Sequence, residues 1–254
     1  MSSMKISVIT PSFNQGRFIE QTIKSVLNQR YPDLEYIVID GGSTDNTLEI
    51  LRKYSDKIMW VSEKDKGQSS AINKGIRMAT GDILAFLNSD DLYLPHTLKT
   101  VADFFKKNQK ASWASGDYHI IDSRGRKIRK YVVVYKRLLR LFSLYPVLKI
   151  MNYIIQPSTF WRKDIVKTIG LFDESLHYVM DYDYWLRIGK KHSLSVINRP
   201  LSKFRIHKLS KSGSQYEKQF EEELKVLRKY RVHPFLRILH QLHSWAYIFV
   251  YKAT

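Results

Sequence analysis

The sequence predicts an α/β fold with a mostly parallel central sheet flanked by helices and a helical C-terminal extension. Three observations predict it. Up to Asp91 the chain alternates short apolar, β-rich runs with stretches of helical spacing, the pattern of successive βαβ units. These runs stop at Pro, Gly or acidic residues, where a strand gives way to a loop. Beyond Gln215 no strand-like run remains, and the chain reads as a charged helix followed by an aromatic, basic tail.

Each element follows from its own pattern. Ile6 to Thr10 is a short strand ended by Pro11. Phe18, Ile19, Ile23, Val26 and Leu27 recur at helical spacing and predict a helix over 18–29. Glu35 to Ile39 is a second strand ending at Asp40; Gly41-Gly42 turns the chain, and Ser43, Thr44 or Asp45 can cap a helix running to Tyr54. Ile58 to Val61 is a third strand. Gln68 to Ala79 is a helix with Gly81 as a C-cap candidate. Ile83 to Leu87 is a fourth, fully apolar strand that stops at Asn88-Ser89-Asp90-Asp91. A helix then runs from Pro95 to about Asn108. Ser112 to Tyr118 and Lys127 to Tyr135 read as strands around an Asp122–Gly125 turn. Ser158 to Trp161 and Leu201 to His207 are further strands, with helices over 181–191 and 215–230. No repeat, low-complexity tract or linker interrupts the chain. The expected organisation is one domain over 1–213, in two halves (1–95 and 96–213), and an extension over 214–254.

The 254 residues are 44% hydrophobic and 26% charged, an ordinary globular composition. No run reaches the roughly 18–20 apolar residues that span a bilayer. There is no cysteine, which excludes disulfides, thiolate metal sites and a cysteine nucleophile. A cytoplasmic protein is the resulting expectation. With 42 Lys and Arg against 24 Asp and Glu, the net charge of +18 attracts polyanions: nucleotide phosphates, an anionic membrane surface or nucleic acid. The absence of zinc spacing or an RNA-recognition signature argues against nucleic acid.

The acids carry the chemistry. Asp40 follows the second strand, Glu63 and Asp65 the third, and Asp90 and Asp91 the fourth. Taken singly, each can be a loop residue or a cap. In a parallel sheet all these ends point the same way, towards the crevice where α/β folds bind ligands. Adjacent carboxylates repel one another, but they suit a divalent cation and the phosphates bound to it.

Four motifs, Thr10-Pro11-Ser12-Phe13-Asn14, Asp40-Gly41-Gly42-Ser43-Thr44-Asp45, Glu63-Lys64-Asp65-Lys66-Gly67 and Asn88-Ser89-Asp90-Asp91, resemble the family 2 glycosyltransferases in order and spacing. The resemblance implies the Rossmann-like glycosyltransferase A fold, a nucleotide-diphosphate sugar as donor, a Mn²⁺ or Mg²⁺ cofactor and inversion at the sugar carbon. It also implies roles. Asp40 would accept a hydrogen bond from the base, typically uracil, so that the donor would be a UDP-sugar. Thr10, Pro11 and Asn14 would shape the nucleotide floor, and Asp65 would hold the nucleoside. Asp90 would contact ribose or metal, and Asp91 would coordinate the metal.

An inverting transfer needs a base on the opposite face of the sugar. Met180-Asp181-Tyr182-Asp183-Tyr184-Trp185-Leu186-Arg187 resembles the family segment whose first Asp is that base, which points to Asp181. Asp181 could also serve as an N-cap, and Asp183 is a rival base. Phe204-Arg205-Ile206-His207 resembles a late family segment that meets diphosphate or metal. His207 becomes a candidate metal ligand, and Arg205 and Lys211 become candidates for the diphosphate. The basic, leucine-rich stretch 137–155 and the tail from Pro234 suit either a membrane surface or buried packing. Family enzymes often act on saccharide or lipid-linked saccharide acceptors in bacterial surface polysaccharide assembly, so peripheral membrane contact is expected. Two alternatives stand beside this reading: a sugar nucleotidyltransferase of similar fold, and a basic nucleic-acid-binding module.

Overall fold

The computed structural model describes residues 4–208, 210 and 215–253. In chain order the elements are β1 (Ile6–Ser12), α1 (Ile19–Leu27), β2 (Leu34–Asp40), α2 (Thr47–Lys53), β3 (Met59–Ser62), α3 (Gln68–Met78), β4 (Ile83–Phe86), β5 (Leu92–Tyr93) and α4 (Thr97–Lys107). Then follow β6 (Trp113–Ile121), β7 (Lys127–Ile128), α5 (Lys130–Phe142), α6 (Tyr145–Leu148), β8 (Thr159–Arg162), α7 (Val166–Ile169), α8 (Met180–Lys191), β9 (Ser195–Arg205), α9 (Tyr216–Lys229) and α10 (Pro234–Ala253).

The described strands form one sheet in the order β3-β2-β1-β4-β8-β6-β9-β5, with β7 on β6. The first four are parallel. Beyond β4 the sheet is mixed, because β8 enters antiparallel between β4 and β6, while β9 runs parallel to β6.

Strand alternation builds two cores. Ile6, Val8, Tyr36, Val38, Ile83 and Ala85 face α1, α2 and α4. Ile9, Ile37, Ile39, Leu84 and Phe86 face the other side, where Trp113, Trp161 and Trp185 pack with α8 and α9. The Trp113 and Trp185 rings stack at 5.7 Å.

The expected strand over 127–135 is a correction. Only Lys127–Ile128 pairs with β6, and the chain turns into α5 at Lys130. Val132-Val133-Val134 has β propensity, but that preference is weak against packing. Val132, Lys136, Leu139 and Arg140 recur at helical spacing and turn inward, with Arg140 fully buried against Asp117 and the Gly116 carbonyl.

At the sheet edge away from the acidic strand ends, Glu35 clamps three segments. It accepts hydrogen bonds from Ser7 Oγ (2.5 Å), Thr80 N (2.7 Å) and Thr80 Oγ1 (2.5 Å), and pairs with Lys5 Nζ at 2.9 Å. Burial alone would raise its pKa, but the Ser7, Thr80 and Lys5 contacts outweigh it and hold the group at about 2. A depressed carboxyl pKa stabilises the fold above the unfolded value, and that contribution fades as pH falls towards 2. Glu35→Gln should therefore cost about 2 kcal/mol in urea unfolding at neutral pH. The deficit should shrink steadily below pH 4.5, the ordinary value for this carboxyl. An equal deficit at both ends of that range would refute the clamp.

Candidate active site

The ends of β1, β2 and β4, the start of α3 and the start of α8 enclose a cavity of about 640 Å³. It is lined by Pro11, Gly41, Asp65 and Gln68, by Asn88, Ser89 and Asp90, and by Met180, Asp181 and Glu223.

Gly41 lets Asp65 approach closely: a Cβ there would lie 2.8 Å from Asp65 Oδ2, so the carboxylate would have to swing away. Asp65 Oδ1 accepts the Gly67 N–H at 2.7 Å, at the head of α3. Burial raises the Asp65 pKa, and the neighbouring Asp40 charge adds to the rise. Asp40 itself is fully buried behind this wall. Its carboxylate receives Gly42 N (3.1 Å), Ser43 N (2.9 Å), Ser43 Oγ (2.5 Å) and Ser62 Oγ (2.7 Å), so here it orders the Gly41–Ser43 turn. Thr10 is also buried, its hydroxyl 3.1 Å from Tyr36 Oη. Asn14, at φ 52°, accepts Thr44 N at 2.8 Å and latches the β1 loop to the β2 loop.

The acidic turn divides its two carboxylates. Asp90 faces the cavity, with His207 Nε2 3.0 Å from its Oδ2. Asp91 is 1% exposed and lies behind it; Oδ1 accepts Arg205 N at 2.8 Å and Oδ2 accepts Asn88 Nδ2 at 3.4 Å. Burial, then the adjacent Asp90 charge, push the Asp91 carboxyl well above the usual range. The Arg205 guanidinium donates to Asp90 O (2.8 Å), Gln21 Oε1 (2.9 Å), Ser123 O (3.3 Å) and Asp122 O (3.4 Å), and lies 4.8 Å over the Phe18 ring. Its donors are therefore largely committed to protein acceptors, Nε to the turn itself, although the side chain borders the cavity. Lys211 lies outside the described residues.

Among the described residues, no three His, Cys, Asp or Glu side chains converge as a ready metal cage. The donor set nevertheless fits Mg²⁺ or Mn²⁺. Such ions are commonly held by one or two carboxylates with substrate phosphates completing the shell. Asp90 at the cavity surface, with the His207 imidazole beside it and the buried Asp91 behind, supplies that partial set.

Asp181, in the first turn of α8, also lines the cavity. Burial raises its pKa to about 6; the Tyr182 backbone N–H opposes the rise, at 2.8 Å from Oδ1, and the Glu223 charge adds to it. Asp183 is structural. It is fully buried, with Arg187 Nε at 2.9 Å and Tyr230 Oη at 2.5 Å.

Several wall residues carry no signal in the sequence. Lys136 reaches the cavity from α5, and Gln219, Glu223, His243 and Tyr247 reach it from α9 and α10. The C-terminal helices are thus part of the wall. They also fix α8: the Glu222 carboxylate accepts His177 N (3.1 Å), Tyr178 N (2.7 Å) and Val179 N (3.0 Å), the amides leading into the helix. Glu222 stands in a run of three glutamates in an amphipathic helix, where its partners are invisible to pattern reading. Gln68, Asn88 and Gln156 link across the floor, Gln68 Nε2 to Asn88 Oδ1 at 2.7 Å and Asn88 Nδ2 to Gln156 Oε1 at 3.2 Å.

The profile described as "Glycosyl transferase family 2" matches residues 7–170. The chain belongs to glycosyltransferase family 2. It is 30% identical over 261 residues to an uncharacterized glycosyltransferase of Rickettsia typhi, covering 97% of this chain and 80% of the relative. It is 28% identical over 250 residues to an Escherichia coli UDP-Glc:alpha-D-GlcNAc-diphosphoundecaprenol beta-1,3-glucosyltransferase, covering 96% and 93%. Other Rickettsia relatives are longer, the chain covering 37%, 37% and 32% of three of them. The Pyrobaculum calidifontis mannosyltransferase, solved with GDP-Man and Mn²⁺, superposes with a TM-score of 0.71 at 18% identity, over 97% of this chain and 70% of that one. The family 2 enzyme described here accordingly has the glycosyltransferase A fold.

Glu222→Ala should lower stability by about 1–2 kcal/mol through the loss of three charge-assisted hydrogen bonds. It should also reduce kcat more than it changes nucleotide affinity, because it loosens the helix that presents Asp181. Unchanged kcat alongside the stability loss would separate Glu222 from the site.

Proposed function

We propose that this glycosyltransferase moves a sugar from a UDP-linked donor to a hydroxyl of a saccharide or lipid-linked saccharide, with inversion at the sugar carbon. The observation that carries the reading is the pairing, in the lining of one cavity, of an acidic turn with a separate carboxylate of raised pKa. The Escherichia coli relative, named for a UDP-Glc donor and a diphosphoundecaprenol-linked acceptor, supports a UDP-sugar and bacterial polysaccharide assembly. A lipid-linked acceptor would bring the reaction to the cytoplasmic face of a membrane.

The nucleoside would lie along Pro11, Gly41 and Asp65, in a pocket whose shape is set by Thr10, Asn14 and Asp40 from behind. The diphosphate would lie between the acidic turn and the N-terminus of α3, where Gly67 and Gln68 border the cavity and helix N–H groups favour negative charge. Asp90, Asp91 and His207 would hold Mn²⁺ or Mg²⁺. When bound, the ion neutralises charge on the departing diphosphate. Arg205 keeps the turn in place and adds positive potential, and Lys211 is a further candidate for the phosphates.

Asp181 acts as the base. Its carboxylate takes the proton of the acceptor hydroxyl as that oxygen bonds to the anomeric carbon. The bond from that carbon to the diphosphate oxygen breaks, and its electron pair leaves with UDP. A base with a pKa near 6 is ionised at neutral pH and still basic enough to share a hydroxyl proton in the transition state.

Asp181→Asn should retain UDP binding in a thermal-shift assay but lose transfer by about 10²-fold or more. Transfer by the wild-type enzyme should fall as pH drops through about 6, where Asp181 takes up a proton. Normal turnover by the variant would remove Asp181 from its role. Asp91→Asn should abolish the Mn²⁺-dependent part of the UDP thermal shift, and an undiminished shift would overturn the metal assignment.

A further inference from the structure

Two segments of this chain contain no acidic residue. Residues 123–163 carry eleven Lys and Arg and no Asp or Glu, and residues 224–254 carry six and none. Together they account for nearly all of the +18 net charge. The same segments hold α5 and α10, and both helices expose apolar side chains that the core does not use.

On α5 these are Val134 (56% exposed), Leu138 and Phe142 (67%), spaced four residues apart and so on one face. On α10 they are Ile238, Leu242 and Trp245 (65%), spaced four and three apart. The two helices meet beside these stripes, where the Tyr135 and His243 rings stack at 6.1 Å. None of the six residues lines the cavity, yet their helix neighbours Tyr135, Lys136, Leu139, His243 and Tyr247 do. Each helix therefore presents one face to the cavity and another to the outside. Neither supplies a transmembrane span, since no described helix is long and apolar enough to cross a bilayer.

We propose that the outward faces of α5 and α10 dock the enzyme on an anionic lipid bilayer. An apolar stripe in an acid-free, basic segment is the composition of a helix lying in the interfacial plane; on α5 the exposed cations beside it are Lys130 and Arg137, the latter also 3.1 Å from Asp117, while Arg140 is buried in the core. Its apolar side chains enter the acyl boundary, and its basic residues meet the phosphate headgroups. Trp245 has the amphipathic ring that favours this depth. Charge decides between occupants. A second copy of this chain on the same face would set like charges against one another at a self-complementary interface, whereas an anionic bilayer neutralises them. Nucleic acid would satisfy the cations but has no use for exposed Val, Leu and Ile side chains. Docked this way, α5 and α10 hold one cavity wall at the membrane surface, within reach of a lipid-linked acceptor. That consequence rests on the transfer reading above; the docking itself does not.

The test is flotation of the full chain with vesicles of phosphatidylglycerol and phosphatidylcholine, compared with phosphatidylcholine alone, without donor or acceptor. The expected result is binding to the anionic vesicles only, weakened by salt. Leu138→Ser with Phe142→Ser, and Leu242→Ser with Trp245→Ser, should each reduce bound protein by about tenfold or more. Both variants should keep the wild-type thermal shift with UDP, which reports an intact donor site. Three results would overturn the proposal: no binding to anionic vesicles, full binding by both variants, or a wild-type dimer in sedimentation that the substitutions convert to monomer. Because the assay contains no sugar nucleotide, a negative result leaves the transfer reading standing.

Discussion

The buried contact between Arg205 and the Asn88–Asp91 turn is the constraint on which the cavity depends. Arg205 ends β9, and the turn follows β4, so the contact joins late sequence to early sequence at the cavity edge of the sheet. Two carboxylates side by side, one of them buried, repel each other and lose solvation. The backbone N–H and guanidinium of Arg205 offset part of that penalty, and the rest is what a bound cation would relieve. On the proposed reading the turn is held ready by the protein and completed by a bound cation. Thr22 reinforces it from α1, its hydroxyl donating to Ser89 O at 2.9 Å and Asp91 O at 2.8 Å.

The proposed base follows a different logic. A base must be ionised to accept a proton but basic enough to take one, and burial, with the Glu223 charge adding to it, raises Asp181 to about 6, a value that suits the proposed role. Its position comes from the C-terminal helices, through Glu222 on the amides before α8 and through the packing of Val226 and Leu227 into the core. Ser69 Oγ, 2.8 Å from Met180 Sδ, ties α8 back to α3 and so to the nucleotide side. Fold and chemistry share the same contacts: those that bury the start of α8 also set the basicity of its first acid.

The first half is legible in the sequence because its signals are local. β1 to β4 alternate with helices, and their acids fall at strand ends, so the pattern alone places Asp65 and Asp90 at one edge of the sheet. The depth of each acid is not legible. Asp40 and Asp91 look equivalent to Asp65 and Asp90 in sequence, but hydrogen bonds from Ser43, Ser62 and Arg205 draw them behind the cavity surface. The triple valine at Val132–Val134 misleads because propensity there competes with a buried Arg140–Asp117 pair that only tertiary packing brings together. Asp181 and Asp183 differ by two positions on a helix, and only the partners Arg187 and Tyr230 separate the structural acid from the one that faces the cavity. The segment that supplies Glu223, His243 and Tyr247 to the wall has the sequence of an appendage, since long-range packing leaves no short motif.

The central claim is a single displacement, with one carboxylate activating the acceptor on the face opposite the departing diphosphate. The anomeric configuration of the product tests it most directly. With an α-linked UDP-sugar and a saccharide acceptor, proton NMR of the isolated product should show a β-linkage. A product that retains the α-configuration would contradict the account, because it would require a second displacement or front-face chemistry for which Asp181 alone makes no provision.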